Sequence, residues 1–85
     1  MEVVLKEKFT VVGVLVQGTW EELPTKMRQE WSTFFDRALS IPNRVNEYAL
    51  DISLSVDNGV YTQLICAEVS EAAQIPNGMV FREIP

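Results

Sequence analysis

An α+β fold is predicted: one amphipathic helix packed on an antiparallel sheet, in the order strand, helix, strand, strand and a short further strand. Three observations carry this. Asn58-Gly59 separates two runs that alternate apolar and polar residues, which is the strongest short-range hairpin signal. Leu23, Met27, Trp31, Phe34, Phe35, Ala38 and Leu39 recur at the three- and four-residue steps of one helical face. Residues 3–17 are rich in Val, Leu, Phe and Thr, the residues that suit a pleated, half-buried surface.

In chain order, the first strand covers 3–17, with Gly13 marking a bend or bulge. The helix follows over Leu23–Leu39. Thr19 and Glu22 have capping-box spacing, while Pro24 fits the first turn, where its missing N–H costs nothing. Ile41-Pro42-Asn43 ends the helix, because proline cannot continue it and biases Ile41 toward extended geometry. Two hairpin strands are expected over Glu47–Asp57 and Val60–Val69. A type I′ turn at Asn58-Gly59 pairs Asp57 with Val60, Val56 with Tyr61, Leu54 with Gln63, Ile52 with Ile65, Leu50 with Ala67 and Tyr48 with Val69. Alternation then puts Tyr48, Leu50, Ile52, Leu54 and Val56 on the core face beneath the helix. Ala49, Asp51, Ser53, Ser55, Thr62, Leu64, Cys66 and Glu68 fall on the other face, two carboxylates and a thiol among them. Residues 70–78 read as a loop with a turn at Pro76-Asn77-Gly78, and Met79–Ile84 as a short last strand.

With 85 residues the chain is one domain, 1–85, small enough to bury only about 60 to 65% of its unfolded surface. Apolar content of 47% and charge of 22% suit an ordered globular protein, and no apolar run reaches the roughly 18 residues of a membrane span. The start, Met1-Glu2-Val3-Val4-Leu5-Lys6, lacks a basic leader and a small-residue cleavage site, so a cytoplasmic location is expected. One cysteine makes no internal disulfide, and the absence of histidine removes the usual zinc sets and the Ser-His and Cys-His nucleophile pairs. No catalytic residue, metal or cofactor is called for. Seven basic against twelve acidic residues give a net charge of −5, the wrong sign for a nucleic-acid backbone and the right one for a cationic small molecule.

Several short patterns stand in order: Trp31-Ser32-Thr33-Phe34-Phe35, Ile41-Pro42-Asn43-Arg44-Val45, Asn58-Gly59-Val60-Tyr61-Thr62, Ala67-Glu68-Val69, Ile75-Pro76-Asn77-Gly78-Met79 and Ile84-Pro85. This series resembles the GyrI-like, AraC-type effector-binding domain, the small-molecule module of multidrug-sensing regulators and of stand-alone integron-cassette proteins. The resemblance implies half of a two-repeat fold, since that family sets two strand-helix-strand-strand repeats about a pseudo-two-fold axis and binds its ligand between them. It implies aromatic walls and an acidic residue that accept lipophilic cations. The family's pocket glutamate belongs to the second repeat and is not carried over to any residue here. The regulators' DNA-binding headpiece has no counterpart either.

The resulting expectation is a non-catalytic module for amphipathic or cationic compounds, working as a homodimer that rebuilds the two-repeat cleft. Closed two-fold assembly is the commonest oligomer, and the last strand presents an unpaired edge. The alternative is a protein-interaction module that docks on a regulator or a topoisomerase. Hydrolysis by a carboxylate-activated water is a third class, which some relatives imply. The candidate ligand-binding carboxylates are Glu68, which matches the Ala-Glu-Val pattern, its register neighbour Asp51, and Glu30. The last falls about 20° from Leu23 and 40° from Phe34 on the helical wheel, at the margin of the apolar stripe. Trp20, Trp31, Phe35, Tyr48 and Tyr61 are the candidate aromatic wall, where a cation over a ring face gains about 0.5 to 2 kcal/mol. Core packing is the preferred reading for Trp31 and Phe35, whereas Trp20 precedes the helical pattern and is, of the five, the one expected to be partly exposed. Cys66 reads as a buried small hydrophobe.

Overall fold

A computed structural model of the chain describes residues 8–85. Strand β1 (Phe9–Thr19) leads into helix α1 (Leu23–Arg37), which tightens into a 3₁₀ turn at Ala38–Ser40; β2 (Leu50–Asp57), β3 (Val60–Val69) and β4 (Val80–Ile84) follow. The four strands form one sheet in the order β2-β3-β1-β4, with every neighbouring pair antiparallel. This is the predicted α+β arrangement. The expected start of the first strand, residues 3–7, lies outside the described residues, and the strand runs on to Thr19.

The helix covers one face of the sheet. Val12, Val14 and Val16 of β1 and Ile65, Ala67 and Val69 of β3 meet Leu23, Phe34 and Ala38 in the main core, with Ile41 and Met79 closing its end. The apolar stripe is narrower than its period suggests. Phe35 is 62% exposed and Leu39 93%, so these two members of the predicted core face water. Both lie beyond the arc of the helix that reaches the sheet, because Phe34 and Ala38 occupy its centre.

The hairpin turn is as expected: Asn58 and Gly59 both have positive φ, 52° and 78°, the signature of a type I′ turn. The register holds for Asp57 with Val60 and Val56 with Tyr61, and then slips. An irregularity between Ser53 and Ser55 leaves Leu54 as an extra residue on β2, so that Ser53 pairs with Gln63, Ile52 with Leu64, Asp51 with Ile65 and Leu50 with Cys66. The pairings of Leu54 with Gln63, Ile52 with Ile65, Leu50 with Ala67 and Tyr48 with Val69 are therefore corrected. A one-residue slip turns every side chain beyond it to the opposite face. Leu50, Ile52 and Leu54 accordingly pack with Val11, Leu64 and Cys66 on the face away from the helix, beside Phe9, Val80 and Ile84. That face is apolar where a polar one was expected. Tyr48 precedes the strand and is 74% exposed, and Val56 is exposed as well.

Gly13 marks no bulge. β1 passes through it in unbroken register with β3, where Gly13 faces Cys66, and its pairing with β4 ends there at Val80. Its role is close approach: a Cβ there would lie 2.5 Å from Cys66 Cα and 2.6 Å from Cys66 Cβ, and nearer still to the Ile65 carbonyl oxygen.

Candidate functional site

Where β1 hands over to α1, the chain turns through Thr19-Trp20-Glu21-Glu22. Thr19 and Glu22 realise the capping-box spacing around this turn: the Thr19 backbone N–H donates to Glu22 Oε1 at 2.9 Å, and the Glu22 N–H donates to Thr19 Oγ1 at 3.4 Å. Lys26, one helical turn on, donates from Nζ to the Gln17 carbonyl at 2.9 Å. The hydrogen bonds from Thr19, with the Lys26 ammonium behind them, hold the Glu22 carboxyl below its ordinary pKa. Pro24 sits at the start of the helix, its expected place.

This turn presents Trp20 to solvent, 72% exposed, with its ring 5.7 Å from that of Tyr61 at 51°. Tyr61 is half-buried against the main core and pairs with Gly18, the residue just before the turn. Beside the indole lies a cavity of about 200 Å³ lined by Trp20, Leu23, Pro24 and Met27. An exposed indole, a phenol and a floor of aliphatic and thioether carbon offer stacking and dispersion to a flat apolar group.

The other candidates are distributed around the molecule. Trp31 stacks on Phe35 with ring centroids 5.4 Å apart at 29°, and meets the buried Phe34 edge-on at 6.5 Å. Trp31 is half-buried against the core while Phe35 stands out from it. Glu30 is half-buried on the other flank of the helix, the flank of Arg37, whose guanidinium donates to the Asn77 carbonyl. Glu68 pairs with Val11 and so lies on the face away from the helix, where the hairpin pattern puts it. Asp51 does not share that face: the slip at Leu54 pairs it with Ile65, on the helix side, and the proposed neighbourhood of Asp51 and Glu68 is dissolved. Tyr48 stays exposed ahead of β2, its N–H held by the Asn46 side chain.

The structure thus brings together Trp20 and Tyr61, and sets Leu23, Pro24 and Met27 with Trp20 around a cavity. Leu23 and Met27 were legible only as members of the core stripe. Pro24 was legible only as a helix start. The carboxylates nearest this cavity along the chain are Glu21 and Glu22, which the sequence marks only through capping-box spacing. Cys66 is fully buried, and desolvation, with a smaller contribution from the Asp51 charge, pushes its thiol up to about 12, so it stays protonated and unreactive near neutral pH. Among the described residues, no group of three or more His, Cys, Asp or Glu is placed to hold a metal ion, and no helix is long and apolar enough to cross a membrane.

No curated protein and no solved structure matches the chain. The family model for Cass2, integron-associated effector binding protein, matches residues 2–85. The chain therefore belongs to the integron-associated effector binding protein family, whose general role is the binding of small molecules.

Proposed function

We propose that this protein is a non-catalytic binding module for amphipathic, flat cations, and that the cavity beneath Trp20 receives the ring system of the ligand. The observation that carries this reading is the exposed indole of Trp20, set against Tyr61 over Leu23, Pro24 and Met27. The π-face of this exposed ring attracts a cation. The net charge of −5 favours the same ligand class through the long-range field.

A rhodamine-type cationic dye is the test. It is expected to quench tryptophan fluorescence, while an anionic dye of similar size leaves it unchanged. Trp20→Ala should weaken cation binding by about 1 to 2 kcal/mol, the scale of one cation–π contact. Equal binding of both dyes, or an unaltered affinity in the Trp20→Ala protein, overturns the reading.

Size bears on assembly. At about 200 Å³ the cavity is smaller than the roughly 300 to 1,000 Å³ that encloses a drug-sized ligand, so it holds one part of such a molecule and a second surface completes the site. A second copy of the chain is the occupant that the homodimer reading requires. Sedimentation equilibrium at micromolar concentration, with and without dye, is expected to give twice the 9.6 kDa chain mass at least in the dye-bound form. A monomer under both conditions removes the homodimer.

A second reading has its own observation. Trp31, Phe35 and Leu39 follow one another along the outer flank of α1, the last two exposed, and such an apolar ridge also suits a protein partner. Loss of partner binding in Phe35→Ser with dye affinity retained would favour it.

A further inference from the structure

The turn that carries Trp20 is held more firmly than its exposure requires. Thr19 and Glu22 are joined by two hydrogen bonds of opposite sense, the Thr19 N–H to Glu22 Oε1 and the Glu22 N–H to Thr19 Oγ1. A backbone bond from the Glu22 N–H to the Thr19 carbonyl, at 3.1 Å, closes the same turn. Lys26 adds a strut from the helix back to the Gln17 carbonyl of β1. Gly18 leaves room beside these side chains: a Cβ at this position would meet Lys26 Cδ at 3.2 Å, tighter than ordinary contact, and Glu22 Cβ at 3.4 Å. Among the described residues, Trp20 is 72% exposed and its aromatic contact is with Tyr61.

We infer that Glu22 is a positioning residue, which holds the β1–α1 turn through Thr19 in the form that sets Trp20 over Tyr61 and the cavity. The carboxylate does this as a hydrogen-bond acceptor for the Thr19 N–H. A neutral side chain with the same acceptor oxygen therefore serves as well. Without it, the turn loses one of its fastenings and Trp20 samples orientations that leave the cavity without its wall. A ligand must then select the competent fraction, and its apparent affinity falls in proportion. The effect on ligand rests on the binding site proposed above; the effect on Trp20 in the free protein does not.

The test separates the two. In a Trp31→Phe background Trp20 is the sole tryptophan, because the chain has two. Glu22→Ala should diminish the near-ultraviolet circular dichroism of Trp20 in the absence of any ligand and weaken cationic dye binding by about fivefold, the scale of one lost cap. Glu22→Gln should restore both, because glutamine supplies the same acceptor in a capping box. Thr19→Val, which removes the hydroxyl half of the pair, should move the Trp20 signal in the same direction, and it stands in should Glu22→Ala fold poorly by far-ultraviolet dichroism. An unchanged Trp20 signal in both Glu22→Ala and Thr19→Val overturns the inference, as does a Glu22→Gln protein that behaves like Glu22→Ala. A changed Trp20 signal with no dye bound by any version, the parent included, leaves Glu22 as the holder of the turn and removes the ligand site.

Discussion

Gly13→Ala should lower the melting temperature by at least about 12 °C, on a cost of about 3 kcal/mol or more and 4 to 8 °C per kcal/mol for a domain of this size. The added methyl would sit 2.5 Å from Cys66 Cα and 2.6 Å from Cys66 Cβ, with the Ile65 carbonyl oxygen nearer still. Two of these three atoms are backbone, and β1 is clasped there by β3 and β4 together, so the strand has no side to retreat to. A domain of this length has on the order of 5 to 10 kcal/mol in all, so the loss takes a large share of it. Gly59→Ala is the useful contrast. It has open space around it but a φ of +78°, and should cost only about 1 kcal/mol through backbone strain. Thermal unfolding followed by circular dichroism checks both, and a Gly13→Ala protein that melts within about 3 °C of the parent removes the close approach as the reason for this glycine.

Phe34→Ala should cost about 3 to 5 kcal/mol, whereas Phe35→Ala should cost about 1 kcal/mol or less. The two phenylalanines are neighbours with the same side chain, and only their bearing around the helix differs. Phe34 is 1% exposed in the centre of the core, so its removal leaves a cavity that the valines of β1 and the strand residues of β3 cannot fill without moving. Phe35 gives up a stack on Trp31 and little buried area. Urea unfolding of both variants measures the difference directly. Comparable losses would mean that Phe35 is covered in solution, which would itself point to a partner or a second copy lying on that flank of the helix.

The sheet shows where sequence pattern stops being sufficient. The Asn58-Gly59 turn set the register for its own neighbours, Val56 with Tyr61 and Asp57 with Val60, because a type I′ turn is a local geometric constraint. From two residues beyond Val56, the pattern Leu54, Ile52, Leu50 alternates as cleanly as before, and nothing in it distinguishes the face under the helix from the face behind it. The extra residue at Leu54 decided the matter by turning these three side chains toward Val11, Leu64 and Cys66. The reason is energetic competition between two apolar faces: β3 offers Ile65, Ala67 and Val69 to one side and Leu64 and Cys66 to the other. A bulge lets β2 serve the second once the helix has taken the first.

Alternation, helical period, proline placement and turn chemistry determined the element order, the place of the helix and the hairpin, since each is a property of a few adjacent residues. The short ordered patterns pointed to the effector-binding family. What only the tertiary structure decided is which residues meet. Asp51 and Glu68 are parted by a one-residue slip, Glu30 and Trp31 by the two flanks of one helix, and Trp20 and Tyr61 are joined across forty positions of sequence because β1 ends against the start of β3. Such meetings depend on strand pairing between distant segments and on how a helix rolls over a sheet, and no local pattern encodes either.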